Sequence, residues 1–416
     1  MKHFPHILFR FSVKTAATQR ERETMTRLFD DSSLATAAHI LAHGPLSRAD
    51  TARDLELSPA TLTRLVRPLM KSGMITEVRS GVSKTGMGRP TQLLAVPPDQ
   101  HAFIGVNLTG TMIHCVRTDA NARILSREAV PVESHAPEDC LHQLCAVIRR
   151  QIGNQDDSQL EGIGISLGGK IDSSRIKENR FLGWQNVDLH SITHEINSSS
   201  HPDIEFVNDV TGLTMLEQWF GLGRKCEDFV VATIGAGIGN GMVHNLRAVR
   251  SPLSGLGTTS HIPLAGAHGV CQYGHVGCAN GALTLPAVLS RAQTGRAITN
   301  SDSAPTSAEE LINLADYGDK SCRRAIIEFT ENLAIYVQTV ASAALVLDVV
   351  LDGEGVCLLE SRWADNFDKH LKSYGRPNDP RIRVHRRSGS FDRWAQGAAV
   401  AAIVKWLIRT TGSTKW

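Results

Sequence analysis

From Leu34 onward, apolar residues recur at helical spacing. Leu34, Ala37, Ala38 and Leu41 share one face of a helix that Gly44-Pro45 ends. Ser47-Arg-Ala-Asp50 resembles a capping box with Asp in place of Glu or Gln, and Ala49, Ala52 and Leu55 continue the spacing behind it. Ser58 and Pro59 open a third helix that turns Leu62, Leu65, Val66 and Leu69 inward and stops at Gly73. Pro68 lies inside this helix and predicts a kink or a shortened last turn. Two short strands, Ile75–Val78 and Leu93–Val96, then flank a Gly-rich basic loop, Arg79–Pro90. Three helices and a two-stranded wing predict a winged helix-turn-helix domain over 31–96, after a flexible tail over 1–30.

Past Pro97-Pro98, a stiff linker, the period changes. Phe103–Leu108, Thr111–Val116 and Arg123–Val130 read as strands, Leu141–Ile152 as a helix and Ile163–Leu167 as a buried strand. This β-β-β-α-β order predicts a ribonuclease-H-like layer. A helix through Met215–Phe220 follows Asp209. The strand Phe229–Ile234 feeds a glycine loop, Gly235–Gly241. Helices over Ala308–Tyr317 and Ser321–Leu347, a buried strand Val349–Leu351 and an amphipathic helix Arg393–Leu407 complete the pattern.

The 416 residues are long enough for two or three domains, and 42% hydrophobic residues are enough for a core. Aromatics are only 5%, so the core must rest on Leu, Val, Ile and Ala. The best candidate for a membrane span, Val340–Leu351, is 12 residues long, carries Asp348 and is too short. Residues 1–11 interrupt their apolar positions with His3, His6 and Arg10, so no signal peptide is expected. Eight scattered cysteines fit a reducing cytoplasm.

Charge is uneven. Residues 33–96 hold eight Lys/Arg against four Asp/Glu, while the segment after 96 is net acidic. Between Ser58 and Gln92 six basic residues face one acid. Candidate DNA contacts are Ser58, Thr61, Thr63, Arg64, Arg67 and Lys71 on the third helix, with Arg79, Lys84 and Arg89 along the wing. A basic protein-binding module is the alternative.

Several landmarks then fall in order: Gly88-Arg89-Pro90, Ser166–Asp172, Trp184–Leu189, Asn208-Asp209, Gly235–Gly241, Leu351–Gly355 and Gly397-Ala-Ala399. Together they resemble the ROK family (repressor, open reading frame, kinase), in particular its regulators of the N-acetylglucosamine and xylose type. The resemblance runs from about Leu34 to Leu407. It implies an α/β fold: the winged helix-turn-helix joined to a two-lobed, actin-like sugar-kinase body. The first lobe would be 99–212 plus 391–410, and the second 213–390. It also implies a carbohydrate-type ligand between the lobes, touched by Gly169, Asn208, Asp209, Thr258, His261 and Asn280, with Asp209 where a kinase has its general base.

The departures matter as much. The family's zinc loop has the form His-x9-Cys-x-Cys-Gly-x-x-Gly-Cys. This chain keeps His261, Cys271 and Cys278, but Tyr273 stands at the middle cysteine. Zinc is therefore left open, with His275 or His268 as a possible fourth ligand. The kinase Asp-x-Gly-x-Thr loop reads Asn107-Leu-Thr109-Gly-Thr111, so the carboxylate that handles metal-bound phosphates is absent. Thr258 and Asn280 stand where the family has sugar-clamping acids. The expectation is a non-enzymatic cytoplasmic regulator, a repressor that binds operator DNA as a homodimer or homotetramer, senses a small carbohydrate, and uses neither membrane nor ATP. An active sugar kinase with an extra domain, or a DNA-bound regulator run by a protein partner, are the competing readings.

Overall fold

The computed structural model describes residues 31–79, 92–153, 159–196, 203–249, 251, 257–298, 304–360, 362, 364–373, 378, 380–387 and 389–413. Two compact units emerge, one from the N-terminal residues up to Val96 with the chain end from Leu407, the other Pro97–Trp406.

In the first unit, Asp31 caps helix α1 (Ser32–His43), its Oδ1 accepting from Ser33 N at 2.7 Å. Strand β1 (Leu46–Ser47) leads into α2 (Arg48–Asp54), where Ser47 accepts from Asp50 N at 3.0 Å, as its capping-box pattern predicts. Helix α3 (Pro59–Lys71) buries Leu62, Val66 and Leu69. Strands β2 (Thr76–Arg79) and β3 (Gln92–Ala95) form the wing, with β1 added on the far side of β3. Pro68 neither ends nor shortens α3. It sits on the exposed side and its missing N–H falls opposite the Arg64 carbonyl, which water can reach, so the helix continues through Lys71.

The second unit carries two five-stranded sheets. The first takes β4 (Ala102–Leu108), β5 (Met112–Asp119), β6 (Ile124–Pro131), β7 (Leu160–Leu167) and β11 (Asp203–Asn208) in the order β11-β7-β4-β5-β6. Central β4 is buried along its whole length, while edge strand β6 alternates between inner and outer faces. Helix α4 (Pro137–Gly153) packs Leu144, Val147 and Ile148 into the same core as Ile104, Val106, Ile163 and Ile165. A three-stranded sheet of β8 (Lys170–Asp172), β9 (Arg175–Asn179) and β10 (Trp184–Asp188) precedes α5 (His190–Ile196). Helix α6 (Asp209–Phe220) starts where β11 ends.

The second five-stranded sheet repeats the topology. It uses β12 (Phe229–Ile234), β13 (Ile238–His244), β14 (Arg247–Ala248), β15 (Asp348–Asp352) and β16 (Arg383–Arg386) in the order β14-β13-β12-β15-β16. In both sheets the first three strands are antiparallel and the last two join in parallel. Helices α7 (Ala279–Leu283), α8 (Leu285–Ile298), α9 (Ala308–Asp316) and α10 (Lys320–Ala344) lie between β14 and β15. Phe329, Leu333 and Val337 of α10 meet Val230, Ile234 and Val349 in one core. Helix α11 (Ala364–Ser373) precedes β16.

The last helix, α12 (Phe391–Thr411), is buried almost all round rather than amphipathic. Its small residues let it lie directly on the first sheet. A Cβ on Gly105 would stand 2.0 Å from Ala395 O, and one on Gly164 1.8 Å from Ala398 O. Where α12 crosses α6, a Cβ on Gly397 would stand 2.6 Å from the Gly212 carbonyl carbon. Beside that crossing, Glu217 of α6 accepts two hydrogen bonds from Arg387 at 2.7 Å and one from Arg393 at 2.5 Å. Arg393 also donates to Asp352 at 2.9 Å. Glu217 and Asp352 are both buried. Among the described residues no helix is long and apolar enough to cross a membrane.

Candidate functional site

On α3, Ser58 Oγ accepts from Thr61 N at 3.1 Å and sits 2.9 Å from the Thr61 hydroxyl, while Thr63 donates back to Pro59 O at 2.8 Å. These three hydroxyls are engaged within the helix. Arg64, Arg67 and Lys71 project from its exposed face and form no ion pair among the described residues. The other cations of this unit differ: Arg48 is held by Glu77 at 2.8 Å and Arg53 by Asp50. Arg79 is exposed at the end of β2, and Lys84 and Arg89 lie outside the described residues.

Of the residues the resemblance assigns to a ligand, Gly169, Asn208 and Asp209 gather where β7 and β11 end. Gly169 has φ +92°, and a Cβ there would lie 2.0 Å from Glu178 O, so the turn requires glycine. Two asparagines pin the turn: Asn179 donates to Gly168 O and Asn208 to Gly169 O, both at 2.9 Å. Asn208 Oδ1 also caps α6, accepting from Thr211 N at 3.2 Å. Asp209 follows, with Oδ1 accepting from Val210 N at 2.7 Å. Burial raises its carboxyl to about 6, against hydrogen bonds that favour the charged form.

The end of β4 and the glycine turn after β12 are differently furnished. Buried Asn107 donates to Ser166 Oγ at 3.1 Å, and Thr109 closes the β4–β5 turn by accepting from Met112 N at 2.9 Å. Opposite, a Cβ on Gly235 would stand 1.9 Å from Glu354 Oε2, so a carboxylate rests on the glycine turn. Burial pushes the Glu354 carboxyl up. Thr258 is exposed on a 3-10 turn, Thr258–His261, and Asn280 lies in α7. No hydrogen bond joins either to Asp209 among the described residues.

The sequence leaves the fourth metal ligand open, and the structure supplies His275. His261 Nδ1 stands 3.8 Å from Cys271 Sγ, 3.7 Å from Cys278 Sγ and 3.2 Å from His275 Nδ1. The four donor atoms all lie within 4.8 Å of one another. Tetrahedral zinc with bonds of about 2.0–2.3 Å needs donors roughly 3.3–3.8 Å apart. The donor types fit and the three distances from His261 lie near that range, while a bound ion would draw any wider pair of the set, up to 4.8 Å, closer. Burial pushes both thiols up, but at Cys271 hydrogen bonds from the Tyr273 and His275 backbone outweigh it and hold the thiol low. Burial, with His275 and Arg180 nearby, holds the His261 imidazole below its usual range, which keeps it neutral for a metal. Tyr273 is not in the set. Its ring meets His261 edge-on, with centroids 5.2 Å apart.

Sequence reasoning passed over Arg180, Phe181 and Glu354. The two former lie in a turn without periodicity, and the role of the latter depends on a contact across 119 positions to Gly235.

Two sheets of repeated topology, faced by glycine turns and a carboxylate at a helix start, define the actin-like class of sugar kinases and the regulators built on the same body. Residues 103–404 match the model of the ROK family, and the chain belongs to that family. It is 26% identical to the xylose repressor of Caldicellulosiruptor bescii, over 72% of this chain and 76% of that protein. It is also 26% identical to the DNA-binding transcriptional dual regulator NagC of Escherichia coli strain K12, over 57% of this chain and 58% of that one, less than two thirds of its length. Among solved structures, a ROK family transcriptional regulator described as a homologue of E. coli Mlc aligns with TM-score 0.75 and 17% identity, covering 94% of this chain and 99% of that chain. A ROK family glucokinase from Streptomyces griseus, in complex with glucose and AMPPNP, aligns over 72% of this chain and 98% of that chain, with TM-score 0.61 and 19% identity.

Proposed function

We propose that this protein is a sequence-specific DNA-binding transcriptional regulator, a repressor, whose kinase-like body binds a carbohydrate or derivative without phosphorylating it. The observation that carries the reading is the exposed row Arg64, Arg67 and Lys71 on a winged-helix unit, unpaired where the neighbouring cations are paired. Such a row neutralises phosphates and reaches base edges in a major groove. Arg79, exposed at the end of β2, extends the basic surface, and by sequence Lys84 and Arg89 are assigned to DNA contact as well. The named relatives, a xylose repressor and NagC, support the same reading. The partner is then operator DNA, bound by a homodimer or homotetramer whose symmetry matches paired half-sites, in the cytoplasm.

Asn107 and Glu354 support the absence of phosphoryl transfer. The amide cannot take the place of a carboxylate that handles metal-bound phosphates, and the Glu354 carboxylate repels phosphate at the glycine turn. Gly169, Asn208, Asp209, Thr258, His261 and Asn280 are assigned to the ligand side. Zinc, held by His261, Cys271, His275 and Cys278, would cross-link its loop as a structural ion.

The test is selection of bound sites from random duplex DNA by the full chain, followed by anisotropy titration at several salt concentrations. Arg64→Ala is expected to cost about 1–3 kcal/mol on the selected site and to relax specificity at one base pair. Equal binding by a chain lacking residues 1–96 rejects the reading. An ATP-coupled assay over hexoses, pentoses and amino sugars tests the other half, where turnover near the ~1–100 s⁻¹ of kinases would reject it.

A further inference from the structure

Arg180 and Phe181 form the tip of the β9–β10 hairpin, which belongs to the first lobe, yet both side chains end on the second. Arg180 Nη1 donates to Tyr273 Oη at 3.0 Å, and the guanidinium carbon lies 5.4 Å from the Tyr273 ring centroid. The Phe181 Cζ stands 3.4 Å from where a Cβ on Gly237 would be, and its ring edge 3.1 Å from a Cβ on Gly168. The tip is fixed to its own lobe. Asn179 Oδ1 accepts from Phe181 N at 2.9 Å and from Leu182 N at 3.1 Å, while its Nδ2 holds Gly168 O. The tip is therefore rigid on one side and held on the other by one hydrogen bond, one cation–π contact and one ring edge.

Those contacts lie at the surface: Phe181 is 44% exposed and Tyr273 54%. Such contacts can part without opening either core. Tyr273 in turn leans edge-on against His261, a member of the His/Cys cluster. We propose that the Arg180–Phe181 tip is an interlobe strap. While it is fastened to Tyr273 and Gly237 the lobes are held together, and its release frees both the glycine turn and the loop that carries Cys271 and His275. Tyrosine at 273 then has a positive role. The position has left the ligand set, which His275 completes, and has joined the strap. A cysteine there could neither accept the Arg180 hydrogen bond as well nor offer a ring to its guanidinium.

Amide hydrogen exchange on the full chain tests this, because a strap is reciprocal and a local contact is not. Arg180→Ala is expected to speed exchange at residues 269–278 and 235–239 on the second lobe. Tyr273→Phe, which keeps the ring against His261, is expected to speed exchange at 179–183 on the first. Each change should be about threefold to tenfold, the range for losing one exposed charge-assisted hydrogen bond. Strands β4 and β12 should be unchanged. The double variant should exchange no faster than Arg180→Ala alone, and Arg180→Lys, which keeps a donor, should fall between. Exchange that rises only on the lobe carrying the substitution, or additive effects in the double variant, would overturn the strap.

Discussion

Asp209 shows what one residue carries. Its carboxyl titrates near 6 in the folded chain, against an ordinary value of 3.8. The charged form is disfavoured by folding, so the penalty is absent below about pH 4 and complete above about pH 6. At about 1.4 kcal/mol per unit, Asp209→Asn should stabilise the chain by up to about 3 kcal/mol at pH 8 and by almost nothing at pH 4. Denaturant melts at the two pH values check this, and a gain that does not vary with pH counts against it. Asn208 and Asp209 are adjacent and both legible in the sequence, but their work differs. Asn208 uses its amide on Gly169 and on the cap of α6, while Asp209 accepts from Val210 N with Oδ1 and holds Oδ2 3.4 Å from where a Cβ on Gly168 would be. The metal set is a second case. His275→Ala should lower bound zinc, measured by elemental analysis, from near one per chain to well below it, and Tyr273→Phe should not. Spacing alone could not choose His275 over His268, because the choice depends on how Gly274 (φ +81°) and Gly277 (φ +71°) fold the loop back on His261.

At the scale of elements, the long periodic segments were the legible ones. The helices of the N-terminal unit, β4, β7, β12 and α10 lie close to where apolar spacing puts them. The β8–β10 sheet was missed, since its strands are short and alternate charged with apolar residues in no run longer than five. The last helix was legible as a helix but not in its surroundings: alanines and glycines carry little amphipathic signal and pack on both sides. Pro68 predicts a kink or a shortened last turn, and the last turn is not shortened, which gives a measurable outcome. A proline inside a helix costs ~3 kcal/mol relative to alanine, and here part of that is spared by exposure. Pro68→Ala should therefore restore a donor to the Arg64 carbonyl and raise stability by about 1–3 kcal/mol, seen as a higher melting temperature of this unit. No gain would mean that the proline is already accommodated at no cost.

Across the whole molecule, the two-lobed body was legible through the family landmarks, but the repeat of its sheet topology was not legible in periodicity, because the two halves share strand order and not residues. The charged group of Glu217, Arg387, Arg393 and Asp352 was invisible for a similar reason: its members come from four places along the chain. Burial pushes the Glu217 carboxyl up, but Arg387 and Arg393 outweigh it and hold it below the ordinary range. Its contribution is thus present above about pH 4.5 and lost as pH falls through the depressed value. Glu217→Gln leaves two half-buried cations with Asp352 alone and should cost about 3–5 kcal/mol in denaturant melts at pH 7. Loss below 1 kcal/mol would place the group among ordinary surface pairs. The crossing of α6 and α12 at Gly212 and Gly397 lies between this group and the start of α6. No side chain separates the helices at that point, so the two backbones themselves set the spacing. At 1.5 Å per residue, Asp209 stands roughly 4.5 Å to one side of it and Glu217 roughly 7.5 Å to the other. A side chain larger than hydrogen at either glycine would have to push the helices apart, and so would pull Glu217 from its arginines and shift the carboxyl of Asp209 together.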